Sequence, residues 1–149
     1  MIIKIPLDIV ELDNNSFHVF VSGRINGCPC DFIVDTGASK TVFALNYLLQ
    51  VLDKPPVSNP DIQSAGISAS HLESHVGQIE DFSMGELRLR KMEALFIDLS
   101  SISELYRTVS DKSIWGLIGS DFLLKYKAKL DYGSQTLSLR VPKSIITKI

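Results

Sequence analysis

Phe32-Ile33-Val34-Asp35-Thr36-Gly37-Ala38 passes from three consecutive apolar residues into an acid and then into turn-forming residues. A short unbroken apolar run reads as a buried strand, and the Thr-Gly that follows reads as a tight turn. The stretch therefore presents one carboxylate, that of Asp35, at the end of a buried strand. The tetrapeptide Asp35-Thr36-Gly37-Ala38 occurs once in 149 residues. Chemistry that needs two such carboxylates face to face would draw the second from another copy of the chain.

Upstream, Phe17, Val19 and Val21 alternate with His18, Phe20 and Ser22, the period of a strand. Asn26-Gly27 supplies the two residues best suited to the positive φ of a type I′ turn, and the chain returns through 28–34. Asp35 thus closes the second arm of a hairpin. The same patterning predicts strands over 2–5, 78–82, 86–91, 94–97, 127–131 and 136–141, with turns at Met84-Gly85 and Tyr132-Gly133-Ser134.

Three helical pieces interrupt this mostly β pattern. One covers 45–52 and is stopped by Pro55-Pro56, since proline removes a donor and restricts its predecessor. A second carries Leu105, Tyr106 and Val109 behind a capping-box pair, Ser101 and Glu104. Asp121 caps a third, short piece over 122–126. The stretch 53–74 holds three prolines and many small polar residues and reads as a loop with a hairpin. No internal repeat suggests a fused second half.

With 45% hydrophobic residues the 149-residue chain is long enough for one domain with a substantial core, spanning 1–149, and too short for two of ordinary size. Fifteen basic against 17 acidic residues give a formal net charge of -2, which speaks against a nucleic-acid or anionic-membrane partner. The amino terminus lacks the pattern of a secretory signal, and no apolar run approaches the roughly 18 residues of a membrane helix. The expectation is a soluble, cytoplasmic protein. Cys28 and Cys30, the two cysteines, share a strand face where a disulfide would be strained, so reduced thiols are expected.

Hydrolysing a peptide without metal or covalent intermediate takes one base to activate water and one acid to protonate the leaving nitrogen. Two aspartates sharing a proton supply both, because like charges at hydrogen-bonding distance cannot both ionise. Around Asp35, Gly37 lets the backbone turn beneath the carboxylate, and the Thr36 hydroxyl can bond across to a partner loop. Ala38 and Ser39 lie where an extended substrate would run.

Residues 32–39, together with GLIGSDFLLKYKAKLDYGSQTLSL from Gly116 to Leu139, resemble the retropepsin family, the single-domain aspartic proteases of retroviruses, retroelements and their cellular relatives. The resemblance implies a mostly β acid-protease barrel with short helices, completed as a two-fold homodimer. It implies an endopeptidase acting on peptide or protein substrates with no cofactor, its catalytic residues Asp35, Thr36 and Gly37. It places Leu117-Ile118-Gly119 beside the catalytic loop. It also implies a flap over 62–76 with its tip near Ala65-Gly66-Ile67-Ser68, so Ala65, Gly66 and Ile67 join Ala38 and Ser39 as substrate-binding residues. The tip here has one glycine where many relatives have two, and no tyrosine of the pepsin type.

Other features take structural readings. His71 and His75 with the two cysteines read as flap histidines and free thiols, with no metal. Trp115 reads as core, Asp31 and Asp131 as solvated strand ends, and Asp121 as a helix cap or the partner of an arginine such as Arg24 or Arg140. The apolar termini, 2–5 and 144–149, read as edge strands that pair with a second chain, the alternative being that one or both complete the chain's own sheet. The rival reading is a peptide-binding or assembly domain of the same fold with little or no turnover.

Overall fold

The structure is a computed structural model and describes residues 1–52, 54–58 and 74–146. In chain order, β1 is Ile2–Pro6, β2 Asp8–Asp13, β3 Ser16–Ile25, β4 Cys28–Val34 and β5 Val42–Ala44, followed by α1 at Leu45–Leu48 and β6 at Val57–Ser58. Then come β7 His75–Met84, β8 Leu87–Ile97, α2 Ser100–Val109, β9 Ile114–Ile118, α3 Ser120–Lys125, β10 Lys129–Asp131, β11 Thr136–Arg140 and a 3-10 turn at Lys143–Ile145.

An eight-stranded sheet runs in the order β2-β3-β4-β9-β5-β8-β7-β6, and an added β3–β7 pairing curls it back on itself into a barrel. β1, β11 and β10 form a separate three-stranded sheet. The chain is mostly β, with short helices at the barrel's ends. Most neighbours are antiparallel, but β4 pairs parallel with β9, and β5 with β8. Parallel neighbours cannot be joined by a tight turn, so residues far apart in sequence are brought side by side.

Alternation along β4 divides the interior in two. Phe32 and Val34 enter a large core cluster with Phe43, Phe82 and Phe122, while Ile33 enters a smaller one with Phe20, Val42, Tyr106 and Leu117. Phe32 is fully buried, its ring edge-on to Phe43 at 6.0 Å; burial of such a ring stabilises by about 2–3 kcal/mol.

The predicted hairpin forms, with Asn26 at φ 48° and Gly27 at φ 84°, and β4 covers the predicted span. Several expectations need correction. The strands predicted over 86–91 and 94–97 are one strand, β8, in which Lys91 takes φ 53°. The helix predicted over 45–52 is a single turn ending at Leu48. The capping box does not form: α2 begins at Ser100, two residues before the Ile102 start that a Ser101 cap would set, and Asp98 Oδ1 accepts the Ser100 amide (2.9 Å) and its hydroxyl. A carboxylate two residues before the first free amide reaches it directly, which leaves Ser101 inside the helix with nothing to cap.

Asp131 is the exposed last residue of β10, as expected, and its Oδ1 also accepts the amides of Gly133 (2.9 Å) and Ser134 (3.1 Å), closing the β10–β11 turn. Asp31 lies inside β4 and accepts from Ser22 Oγ (3.2 Å). Trp115 is only half-buried; it is stacked on Tyr47 with ring centroids 5.5 Å apart at 11°. At the termini, β1 pairs with the chain's own β11, and the N-terminal ammonium donates to the Val141 carbonyl (3.0 Å). Of the predicted C-terminal strand, Ser144 and Ile145 lie in the 3-10 turn and Ile146 bridges to Leu87, while 147–149 lie outside the described residues.

Candidate active site

Asp35 follows β4 and keeps its strand register for one more bond: its amide donates to the Ile118 carbonyl at 2.9 Å, continuing the parallel pairing of Ile33 with Leu117 and Val34 with Ile118. The chain then turns. Gly37 N–H donates back to Asp35 Oδ1 (2.9 Å), and Ala38 N–H to the Asp35 carbonyl (3.1 Å). Gly37 does not take the left-handed conformation; its contribution is the missing Cβ, which would lie 3.2 Å from Asp35 Oδ1. The carboxylate is half-buried, with Thr36 and Gly37 exposed beside it.

A second segment clamps this turn from β9 and α3. Ser120 N–H donates to the Ala38 carbonyl (2.8 Å), and Ser120 Oγ to the Thr36 carbonyl (2.9 Å). Thr41 closes the far end: its amide and hydroxyl both donate to Asp121 Oδ1 at 2.8 Å, while its hydroxyl oxygen accepts the Gly119 amide at 3.0 Å. Asp121 also accepts the Phe122 amide (2.8 Å); it is not the expected cap, since α3 begins at Ser120 with Gly119 at its N-cap, and it ties the loop from the first turn with Thr41 in place of the expected arginine. Gly119 is the residue this closeness demands, because a Cβ there would sit 2.7 Å from the Lys40 carbonyl carbon and 2.9 Å from the Ala38 oxygen.

The predicted site residues thus fall in distinct places. Thr36 and Gly37 form the exposed face of the turn with Asp35 half-buried beside them, and Ser39 is exposed next to them. Ala38 is 1% exposed, with its amide and carbonyl both bonded within the chain, so it packs the turn from beneath. Leu117, Ile118 and Gly119 run beside the loop. Ala65, Gly66 and Ile67, and most of the segment 62–76, lie outside the described residues; its described end, His75 and Val76, pairs with β6 and β8.

Thr41 and Ser120 are functional supports that the sequence pattern did not single out. Their only sequence signal is a hydroxyl flanking each apolar strand end, which does not say what it will meet. Tyr106 is a third such residue. It comes from α2, and its hydroxyl lies 2.9 Å from His18 Nδ1. Burial pushes its phenol up, and the Asp35 charge pushes in the same direction.

A cavity of about 700 Å³, lined by Phe43, Phe82, Met92 and Phe122, touches the clamp at Lys40, Thr41 and Asp121 but not Asp35. Among the described residues no three His, Cys, Asp or Glu side chains gather as a metal site would require. No helix among them is long and apolar enough to cross a membrane.

Comparison with known proteins agrees with this geometry. The family described as Aspartyl protease matches residues 21–122, a span that includes the Asp35 turn and its clamp. Among solved structures, a retropepsin-like aspartic protease from Rickettsia conorii superposes with a TM-score of 0.55 at 15% identity, covering 93% of this chain and 88% of that one. The retroviral protease-like domain of Ddi1 from Leishmania major gives a TM-score of 0.47 at 15% identity, over 85% and 89% of the two chains. No curated protein matches the chain in sequence. The fold is retropepsin-like, and by the match to residues 21–122 the chain belongs to the aspartyl protease family.

Proposed function

We propose that the chain is an aspartic endopeptidase that works as a two-fold homodimer, each subunit contributing its Asp35. The observation that carries this reading is the turn itself. Asp35 is braced through its own amide by Ile118, and its carboxylate, bonded in this chain by the Gly37 amide, is held at an exposed face. The sequence holds one Asp-Thr-Gly, so a second identical carboxylate comes from a second chain.

Brought face to face, the two carboxylates share one proton, the general behaviour of aspartic proteases. The ionised partner takes a proton from water as it attacks the peptide carbonyl, and the protonated partner donates toward the carbonyl oxygen. The proton gained by the base then passes to the leaving nitrogen, and the C–N bond breaks. The backbone bonds around residues 36–41 hold both carboxylates without side-chain rearrangement, as electrostatic preorganisation requires. The segment around Gly66 would serve as the flap that excludes water, and Ser39 would line the substrate run.

The test is peptide cleavage from acidic to neutral pH by the wild type beside Asp35→Asn. The variant is expected to fold and dimerise yet cleave nothing; cleavage that persists in a clean preparation of the variant overturns the reading. Specific activity should also rise with enzyme concentration through the dimer dissociation range, and activity proportional to concentration in a sedimenting monomer would remove the dimer from it.

A further inference from the structure

Side chains alternate along β4, and Asp35 comes next on the side of Ile33. Leu117, the register partner of Ile33, lies on that side too. The carboxylate therefore emerges beside the smaller apolar cluster. This cluster is roofed by α2, from which Tyr106 packs in with only 7% of its surface exposed. Its ring stands edge-on to Phe20 (5.5 Å, 89°) and to His18 (5.3 Å, 82°), and its hydroxyl meets His18 Nδ1 at 2.9 Å. A ring held by two edge contacts and a hydrogen bond is fixed in place, not a mobile flank.

Neither the cavity of about 700 Å³ nor a second of about 390 Å³ is lined by Ile33, Asp35, Tyr106 or Leu117. The apolar face next to the carboxylate is filled by the chain's own tyrosine. A substrate residue adjoining the scissile bond must settle against that filled face.

Resting on the peptidase reading above, we propose that Tyr106, latched by His18, is a specificity-determining residue that restricts the substrate side chain beside Asp35 to small ones such as alanine, serine or valine. The restriction is steric: the phenol ring occupies the space that a leucine or phenylalanine side chain would need. Tyr106 takes no part in the proton transfers.

The experiment digests denatured casein with wild type, Asp35→Asn, Tyr106→Phe and Tyr106→Ala, and maps the cut sites by mass spectrometry. Kinetics on paired peptides that differ only by alanine or phenylalanine at the mapped position follow. Wild type and Tyr106→Phe, which keeps the ring, should share one profile of small residues. Tyr106→Ala should shift toward large residues, with kcat/KM for the phenylalanine peptide rising about tenfold relative to the alanine peptide. If Tyr106→Ala does not fold by circular dichroism, Tyr106→Leu carries the same expectation. A profile unchanged in the folded truncation overturns the role of Tyr106 and leaves the peptidase reading standing. Wild type without any cleavage that Asp35→Asn abolishes overturns both.

Discussion

Asp121 Oδ1 accepts both the amide and the hydroxyl of Thr41 at 2.8 Å, across 80 residues of sequence. This pair joins the far end of the Asp35 loop to the start of α3, and the Gly119 amide completes it through the Thr41 oxygen. Thr41→Val removes one donor to a carboxylate and the acceptor for Gly119. The expected cost is about 1–3 kcal/mol in denaturant midpoint, and Asp121→Ala should cost a similar amount. The double variant should be less destabilised than the sum, because both changes break the same contacts; full additivity in the cycle would show that the pair is not coupled.

Gly119→Ala acts on the same loop through the backbone itself. Its Cβ meets backbone atoms at 2.7–2.9 Å, which cannot rotate away as a side chain could. Moving the 38–40 segment displaces the turn that holds Asp35. Stability is expected to fall by about 1–3 kcal/mol, and activity at a temperature where the variant remains folded should fall by a larger factor than stability alone explains. Equal activity per folded molecule would separate the clamp from the site.

Asp98 gives a pH-dependent test. Hydrogen bonds from the Ser100 side chain, then from its amide, hold the Asp98 carboxyl below its ordinary value in the folded chain. A lowered folded value means stability that is present above the unfolded carboxylate range, near pH 4, and is lost as pH falls through the folded value. Asp98→Ala should cost about 1 kcal/mol at neutral pH, with the gap to wild type closing below about pH 4. A gap independent of pH would assign the effect to packing.

The cysteines should part company in thiol labelling. Cys30 is 6% exposed, and burial, followed by the charges of Asp31 and Cys28, pushes its thiol up to about 12. It is protonated and shielded at pH 8, so an alkylating reagent should modify one thiol quickly in the folded protein and two after unfolding. Rapid labelling of both in the native state would contradict the burial of β4's inner face.

Much of the site could be read from residues 32–39 and 116–121, because an apolar run ending in Asp-Thr-Gly and a glycine-ended partner strand each carry a local signal. The hairpin at Asn26-Gly27 was legible for the same reason. Most of what escaped depended on partners distant in sequence. β5 has three residues and is a strand because β8 and β9, far along the chain, flank it; β2 escaped for a local reason, since Asp8, Glu11 and Asp13 obscure its pattern although β3 follows it directly. Asp121 looked like an arginine's partner because charge is visible in sequence, whereas the hydroxyl of Thr41 announces nothing. Tyr106 read as one apolar position of a helix, and its place beside Asp35 is set by how α2 lies on the smaller cluster.

The clamp also bears on when, during folding, the Asp35 turn can take its braced form. Ser120 reaches Thr36 over 84 positions, and the Asp35 amide waits for Ile118. Contacts of such long range form late, since the intervening chain must be ordered first. During synthesis, a chain that has emerged only as far as β8 holds its Asp-Thr-Gly without the strand that braces it. On the proposed peptidase reading, the turn that carries Asp35 is braced only once residues through 121 are free to fold.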